Sequence, residues 1–231
     1  MSFLTRLFRP HVELPAELAT RLDAWRAQPD LNERTPLNTA RFVVVDVETS
    51  GLDPRRDRLL AIGAVVVEAG RLRPGEGYDV TVHNPVPSAR DNILVHGISP
   101  DAQTGGLAPD AALMGFLELA RHDVLVAYHA GFDQAVLGRA LRAQLGVRLP
   151  NLWLDVAHLA PMLAPEVRQN NRTLDDWLAQ FGLRAHARHS AAYDSYATAE
   201  LLLILLARAA RAGYSSVGQL LAAGEQRERV I

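Results

Sequence analysis

The chain reads as an α/β protein built on a mixed, five-stranded sheet flanked by helices. Three observations lead there. Phe42–Val45 is an unbroken apolar run, rich in β-branched residues and followed by Gly51, which reads as a strand buried in a core. Leu59–Glu68 and the alternating Tyr78–Val82, with Gly70 marking a hairpin turn between them, add an antiparallel meander. After that, helical patterns alternate with two short apolar strands, Val124–Ala127 and Leu152–Val156. The resulting order, β-β-β-α-β-α-β-α-α, suits a sheet covered by helices.

Taken in order, residues 1–40 form a helical extension and linker. Pro15 to Gln28 allows an amphipathic helix with Leu18, Leu22 and Trp25 on one face, expected to pack on the main domain. The stretch from Pro29 to Thr39, rich in Pro, Asn and Thr, reads as linker. The main domain spans residues 41–213. Asp53–Arg58 is a charged turn, and Asn84–Pro109 reads as a long loop carrying V-H-G-I at Val95–Ile98. Helices are expected over Ala111–Arg121, Phe132–Leu145 and Thr173–Phe181, the last capped by Thr173 and stopped by Gly182. Ser190 is the expected cap of a long final helix that runs to about Ala212 and stops at Gly213. Residues 214–231 read as a C-terminal tail.

Composition narrows the function. A hydrophobic fraction of 48% and a charged fraction of 22% are ordinary for a soluble globular chain of 231 residues. The absence of cysteine excludes disulfides, thiol catalysis and cysteine-ligated metal sites, and suits a cytoplasmic setting. Arg6 and Arg9 break the apolar N-terminal stretch, so a signal peptide is not expected, and no apolar run reaches bilayer length. The net charge of −2 carries no global signature of nucleic-acid binding. All 24 basic residues are arginine, which suits bidentate phosphate contacts.

The carboxylates carry the chemistry. Asp46 and Glu48 sit two apart at the end of the first strand, so both point to one face. Two neighbouring acids repel, and a hard divalent cation bound through carboxylate oxygens explains them most simply, although a lone D-x-E more often just ends a strand on the solvent side and the other segments have to decide. Tyr128–Asp133, Y-H-A-G-F-D, follows a short strand and opens a helix, which places Asp133 at a strand-to-helix junction. His189–Asp194, H-S-A-A-Y-D, places a histidine just before the last helix and a carboxylate in or just after its first turn.

Together these segments resemble the DEDDh family of 3′→5′ exonucleases, which includes the proofreading epsilon subunit of bacterial DNA polymerase III and ribonuclease T. The family's D-x-E-T/S-x-G appears as Asp46-Val47-Glu48-Thr49-Ser50-Gly51, its H-N-x-x-F-D as Tyr128 to Asp133, and its H-x4-D as His189 to Asp194. The second motif departs from the pattern, with Tyr128 in the place of His and His129 in the place of Asn. The V-H-G-I stretch and Thr173–Leu183 also look like family features, and the likeness covers about residues 41–212.

The resemblance implies a ribonuclease H-like fold and an exonuclease domain that uses two divalent metal ions, Mg²⁺ or Mn²⁺. By carry-over, Asp46, Glu48 and Asp194 hold the first ion, Asp46 bridges to the second, and Asp133 supports that one. His189 is then the general base. Thr49, Ser50, Gly51 and Leu52 are expected to hold the terminal nucleotide, with His129 orienting the site. The implied reaction releases nucleoside monophosphates from 3′ ends, of DNA first and alternatively of RNA or oligoribonucleotides. A non-catalytic nucleic-acid-binding scaffold is the contrasting reading. A polymerase or other protein partner docking on the N-terminal extension is a further expectation; a membrane partner is not.

Overall fold

The structure, a computed structural model, describes residues 12–167, 173–184 and 190–228. Five strands form one sheet in the order β3-β2-β1-β4-β5. They are β1 (Arg41–Thr49), β2 (Leu59–Glu68), β3 (Arg71–Thr81), β4 (Val124–Ala127) and β5 (Trp153–Asp155). β1, β2 and β3 pair antiparallel, whereas β4 and β5 run parallel to β1. The expected mixed five-stranded sheet flanked by helices is therefore the fold observed.

The period-two alternation of β1 divides the core. Phe42 and Val44 face a layer made by α6 (Val156–Leu163), α7 (Leu174–Gln180), α8 (Ala191–Arg211) and α9 (Val217–Glu228). Val43, Val45 and Val47 face α1 (Ala16–Arg26), α4 (Pro109–Ala120) and α5 (Ala130–Leu145). The helix in the N-terminal extension packs on the main domain as expected. Leu18, Leu22 and Trp25 are buried, and Arg21 makes two hydrogen bonds to Glu118 of α4 at 2.8 and 2.7 Å.

Asp46 and Glu48 continue the Phe42–Val44 parity, so they lie on the α8 face. Gly63, the β2 partner of Asp46, lies on that face too. A Cβ at Gly63 would run into the main chain of Ala191 and Ala192 in the first turn of α8. The missing side chain therefore lets α8 lie directly on the sheet beside the two acids.

Several elements differ from expectation. β3 begins at Arg71 rather than Tyr78, because a register shift lets the Pro74–Glu76 segment bulge without ending the pairing. The stretch expected to be a loop, Asn84–Pro109, holds α2 (Arg90–His96) and α3 (Pro100–Thr104). These short helices have no long apolar period. Their markers are local: Ser99 accepts the Ala102 N–H ahead of Pro100, and Gly97 ends α2 at φ 71°. α6 starts immediately after β5 and was not expected. The stretch read as a tail contains α9, whose Val217, Leu220 and Leu221 are buried against the α6–α8 layer. Thr173 does cap α7, in a reciprocal pair with Asp176. Ser190 holds the N-cap position of α8 without a side-chain capping bond; its carbonyl accepts the Asp194 N–H at 2.9 Å. No helix among the described residues is long and apolar enough to cross a membrane.

A buried polar cluster fastens α2 and α3. His96 Nδ1 accepts the Ile98 N–H at 3.0 Å, which leaves Nε2 to bond the Ser88 hydroxyl at 3.1 Å. Gln103 closes the ring, donating to Ser88 Oγ at 3.0 Å and accepting the Ser88 N–H at 2.8 Å. Burial lowers the His96 pKa below its ordinary 6.5.

Two predictions follow from this packing. Gly63→Ala forces α8 off the sheet and is expected to lower unfolding stability by about 3 kcal/mol; a variant that unfolds at the wild-type urea midpoint would contradict the close contact. Because the folded pKa of His96 is depressed, its contribution is complete above pH 6.5 and is lost as pH falls through the folded value. The stability advantage of wild type over His96→Gln should therefore shrink in urea melts taken at about pH 5 compared with about pH 7.5. A gap that does not change with pH would refute the neutral, hydrogen-bonded histidine.

Candidate active site

The site forms where β1 outlasts its parallel neighbour. Pairing of β1 with β4 ends at Val44 and Val126, while β1 runs on to Thr49. Asp46 and Glu48 project from this extension toward α8. Asp194, in the first turn of α8, completes the cluster: one carboxylate oxygen from each of the three lies within 4.8 Å of the others. Asp194 is buried, whereas Asp46 and Glu48 are half-buried. The helix N-terminus favours the charge on Asp194. Three converging carboxylates form an all-oxygen donor set suited to a hard divalent cation.

Asp133 reaches the same strand end from α5, on the opposite side of the sheet. Its Oδ1 accepts the Val47 N–H at 3.1 Å, between the two acids of β1 and beyond the last β1–β4 pair. Burial pushes the Asp133 carboxyl well above the usual carboxylate range; its accepted backbone hydrogen bonds oppose this, and the negative charges of Asp155 and Glu48 add to it. Asp133 is thus beside the convergent trio of Asp46, Glu48 and Asp194 rather than part of it.

The start of α5 is shaped by Asp155, at the end of β5. Its carboxylate accepts the N–H groups of His129, Ala130 and Ala157 at 3.0, 3.1 and 2.8 Å. This holds His129 at φ 63° in the N-cap position of α5. His129 is exposed, with its ring edge-on to Tyr128 at 4.7 Å between centroids. Burial raises the Tyr128 pKa to about 12, and the charges of Asp155 and Asp176 add to the rise. His189, the expected general base, lies outside the described residues.

The four expected substrate-binding residues after Glu48 form a tightly knit turn. Thr49 Oγ1 donates to the Gly51 carbonyl at 2.6 Å. Ser50 Oγ donates to Asp57 Oδ1 at 2.9 Å and accepts the Arg58 N–H at 3.0 Å. Asn92 of α2 donates to the Ser50 carbonyl. Leu52 stands at the tip with 92% of its surface exposed, beside a chain that buries most of its leucines.

Sequence reasoning missed Gly63 and Asp155. Each carries a signal: a lone glycine inside an apolar strand marks a close backbone approach, and an aspartate between a strand and an apolar helical run marks a cap.

Comparison with known proteins agrees with this geometry. The chain is 35% identical over 194 residues to a DNA polymerase III subunit epsilon-like protein of Rhodobacter capsulatus, covering 81% of this chain and 27% of that protein. It is 33% identical over 180 residues to the PolC-type DNA polymerase III of Bacillus subtilis, covering 77% and 12%. The chain therefore spans only a small part of these relatives' length. Among solved structures, Escherichia coli exonuclease I in complex with a dA16 oligonucleotide superposes with a TM-score of 0.64 at 18% identity, covering 75% of this chain and 42% of that one. Exonuclease I of Methylocaldum szegediense gives 0.63 at 22%, covering 76% and 42%. These two share the ribonuclease H-like fold. A sequence model of the RNase_T family, described as exonuclease, matches residues 43–202, and the chain belongs to that exonuclease family.

Proposed function

We propose that the chain is a metal-dependent 3′→5′ exonuclease that hydrolyses phosphodiester bonds at the 3′ ends of nucleic acid, DNA first, and releases nucleoside monophosphates. The observation that carries this reading is the convergence of Asp46, Glu48 and Asp194 within 4.8 Å, with Asp133 fixed beside them. The DNA preference draws on relatives named as DNA polymerase III chains and on the oligonucleotide complex of exonuclease I. The same names support a polymerase-associated setting in the cytoplasm; the N-terminal extension is the docking segment of this proposal.

Asp46, Glu48 and Asp194 would hold one divalent ion, Mg²⁺ or Mn²⁺, and Asp46 with Asp133 a second. When bound, such a pair supplies positive charge to the attacking and leaving oxygens of an in-line displacement. The protein's own part is to fix geometry. Gly63 brings Asp194 into reach of β1. The Val47 N–H orients Asp133. Exposed Leu52 offers an apolar surface to the terminal base, and His129 lies at the α5 end of the site. His189, five residues before Asp194, takes the proton of the attacking water, since imidazole titrates near neutral pH.

The test uses single-stranded DNA and RNA oligonucleotides of one sequence, each labelled at its 5′ end, with Mg²⁺ or Mn²⁺. Wild type is expected to give a ladder shortening from the 3′ end, lost in EDTA and in Asp46→Ala. Faster trimming of RNA would transfer the assignment to RNA ends. Intact substrate of both kinds, in protein that Mn²⁺ still stabilises, would point to the scaffold.

For the general base, His189→Ala should lower turnover by about 10²- to 10⁴-fold while keeping the Mn²⁺-induced rise in melting temperature. Equal loss of both would remove His189 from that role.

A further inference from the structure

Two residues outside the family motifs join the turn after Glu48 to the helix that carries Asp133. Asp57 lies inside the turn and is half-buried. One of its carboxylate oxygens accepts the Ser50 hydroxyl at 2.9 Å, and the other accepts the Asp53 N–H at 2.8 Å. The carboxylate also fills the space where Gly51 would carry a side chain; a Cβ there would lie 2.5 Å from Asp57 Oδ2. Gly51 and Asp57 are therefore one fitted pair, and the turn closes around a half-buried carboxylate.

Arg139 grips the outside of the same turn. It projects from α5, six residues after Asp133, and is half-buried. Its Nε donates to the Pro54 carbonyl at 3.0 Å, and its Nη2 donates to the Asp57 carbonyl. A guanidinium aimed at two main-chain carbonyls works as a planar fork, which lysine cannot reproduce. One helix thus holds β1 at Val47 through Asp133, and the following turn at Pro54 and Asp57 through Arg139. Leu52, 92% exposed, is held on the resulting brace.

We infer that Asp57 and Arg139 are positioning residues that set Thr49–Leu52 at a fixed height over the carboxylate cluster, so that a 3′-terminal nucleotide on Leu52 meets the reacting centre in register. The inference rests on the exonuclease reading and adds to it the residues that hold the terminal-nucleotide turn. Neither side chain touches the nucleotide. They act through main-chain placement, where a displacement of about 1 Å can cost about a hundredfold in rate.

The experiment compares wild type, Asp57→Ala, Asp57→Asn, Arg139→Ala and Arg139→Lys in steady-state trimming of a 5′-labelled single-stranded DNA, with Mn²⁺-induced thermal stabilisation measured on each. Asp57→Ala and Arg139→Ala are expected to raise KM by about tenfold or more and to lower kcat/KM by up to about a hundredfold, with the Mn²⁺ shift retained. Asp57→Asn keeps an acceptor inside the turn and should recover most of the KM. Arg139→Lys cannot span both carbonyls and should recover little.

Wild-type KM in both alanine variants overturns the positioning role. So does an effect confined to kcat with loss of the Mn²⁺ shift, which would mark general collapse of the site. If Asp57→Ala does not fold, Asp57→Asn and the two Arg139 variants decide by the same split. A wild-type chain that leaves the DNA and an RNA of the same sequence intact overturns the exonuclease reading itself, a result distinct from active wild type with unaffected variants.

Discussion

The distance between α8 and the sheet is set by a side chain that is missing. At Gly63 the first turn of α8 lies against β2, where a methyl group would collide with the main chain of Ala191 and Ala192. Everything that converges at the site depends on this contact. Asp46 is paired with Gly63 across the β1–β2 ladder, so the point where the helix comes closest is also where the first acid stands. Asp194 follows within that same helical turn and is carried into place by packing. A larger residue at position 63 would move the whole helix, together with the apolar layer of Leu201, Leu202 and Leu205 that anchors it.

The second constraint is the unequal length of β1 and β4. A parallel pair that ends early leaves the longer strand with donors and acceptors that need partners, since buried backbone groups are rarely left unpaired. Here the Val47 N–H finds Asp133. The bond satisfies the strand and places a carboxylate at its end. It also buries that carboxylate, and burial drives Asp133 toward its neutral form. A cation at the cluster would reverse the balance, because opposite charge within a few ångströms favours the ionised acid. Fold and cation would be coupled in this way: the sheet edge supplies the position, and a bound ion would restore the charge.

How much of this was legible in the sequence follows from the range of each interaction. The strand period of β1 put Phe42 and Val44 on one face, and the same parity carried Asp46 and Glu48 to it. Helix signals located α5 and α7 within two residues, because Gly146, Thr173 and Gly182 act locally. What failed had no strong period. α2 and α3 are held by the His96–Ser88–Gln103 cluster, whose members are eight and fifteen residues apart. α9 is stabilised by burial against a layer that exists only once the sheet has formed. The length of β3 was hidden by Pro74 and Gly75, residue types that favour turns but here sit in the bulge between Arg73 and Gly77. The departure at Tyr128 and His129 was visible, but its consequence was not. The left-handed backbone of His129 is imposed by Asp155, twenty-six residues later in the chain.

The charged turn Asp53–Arg58 shows how far composition can mislead about a site. In sequence it is a run of exposed charges, and Arg55 and Arg56 are indeed exposed. Asp57, next to the end of the run, turns inward and is the residue around which the turn closes. The difference is chemical. A carboxylate has enough acceptor capacity to take a hydroxyl and a main-chain N–H together, and Gly51 leaves room for it. Arg139 then spans the helix-to-turn gap with a rigid fork. A strand end, a helix and a turn are thereby fixed as one body by hydrogen bonds that reach 86 residues along the chain. Chemistry that needs its reacting groups placed to within a fraction of an ångström is better served by such a body than by the isolated turn the sequence suggests.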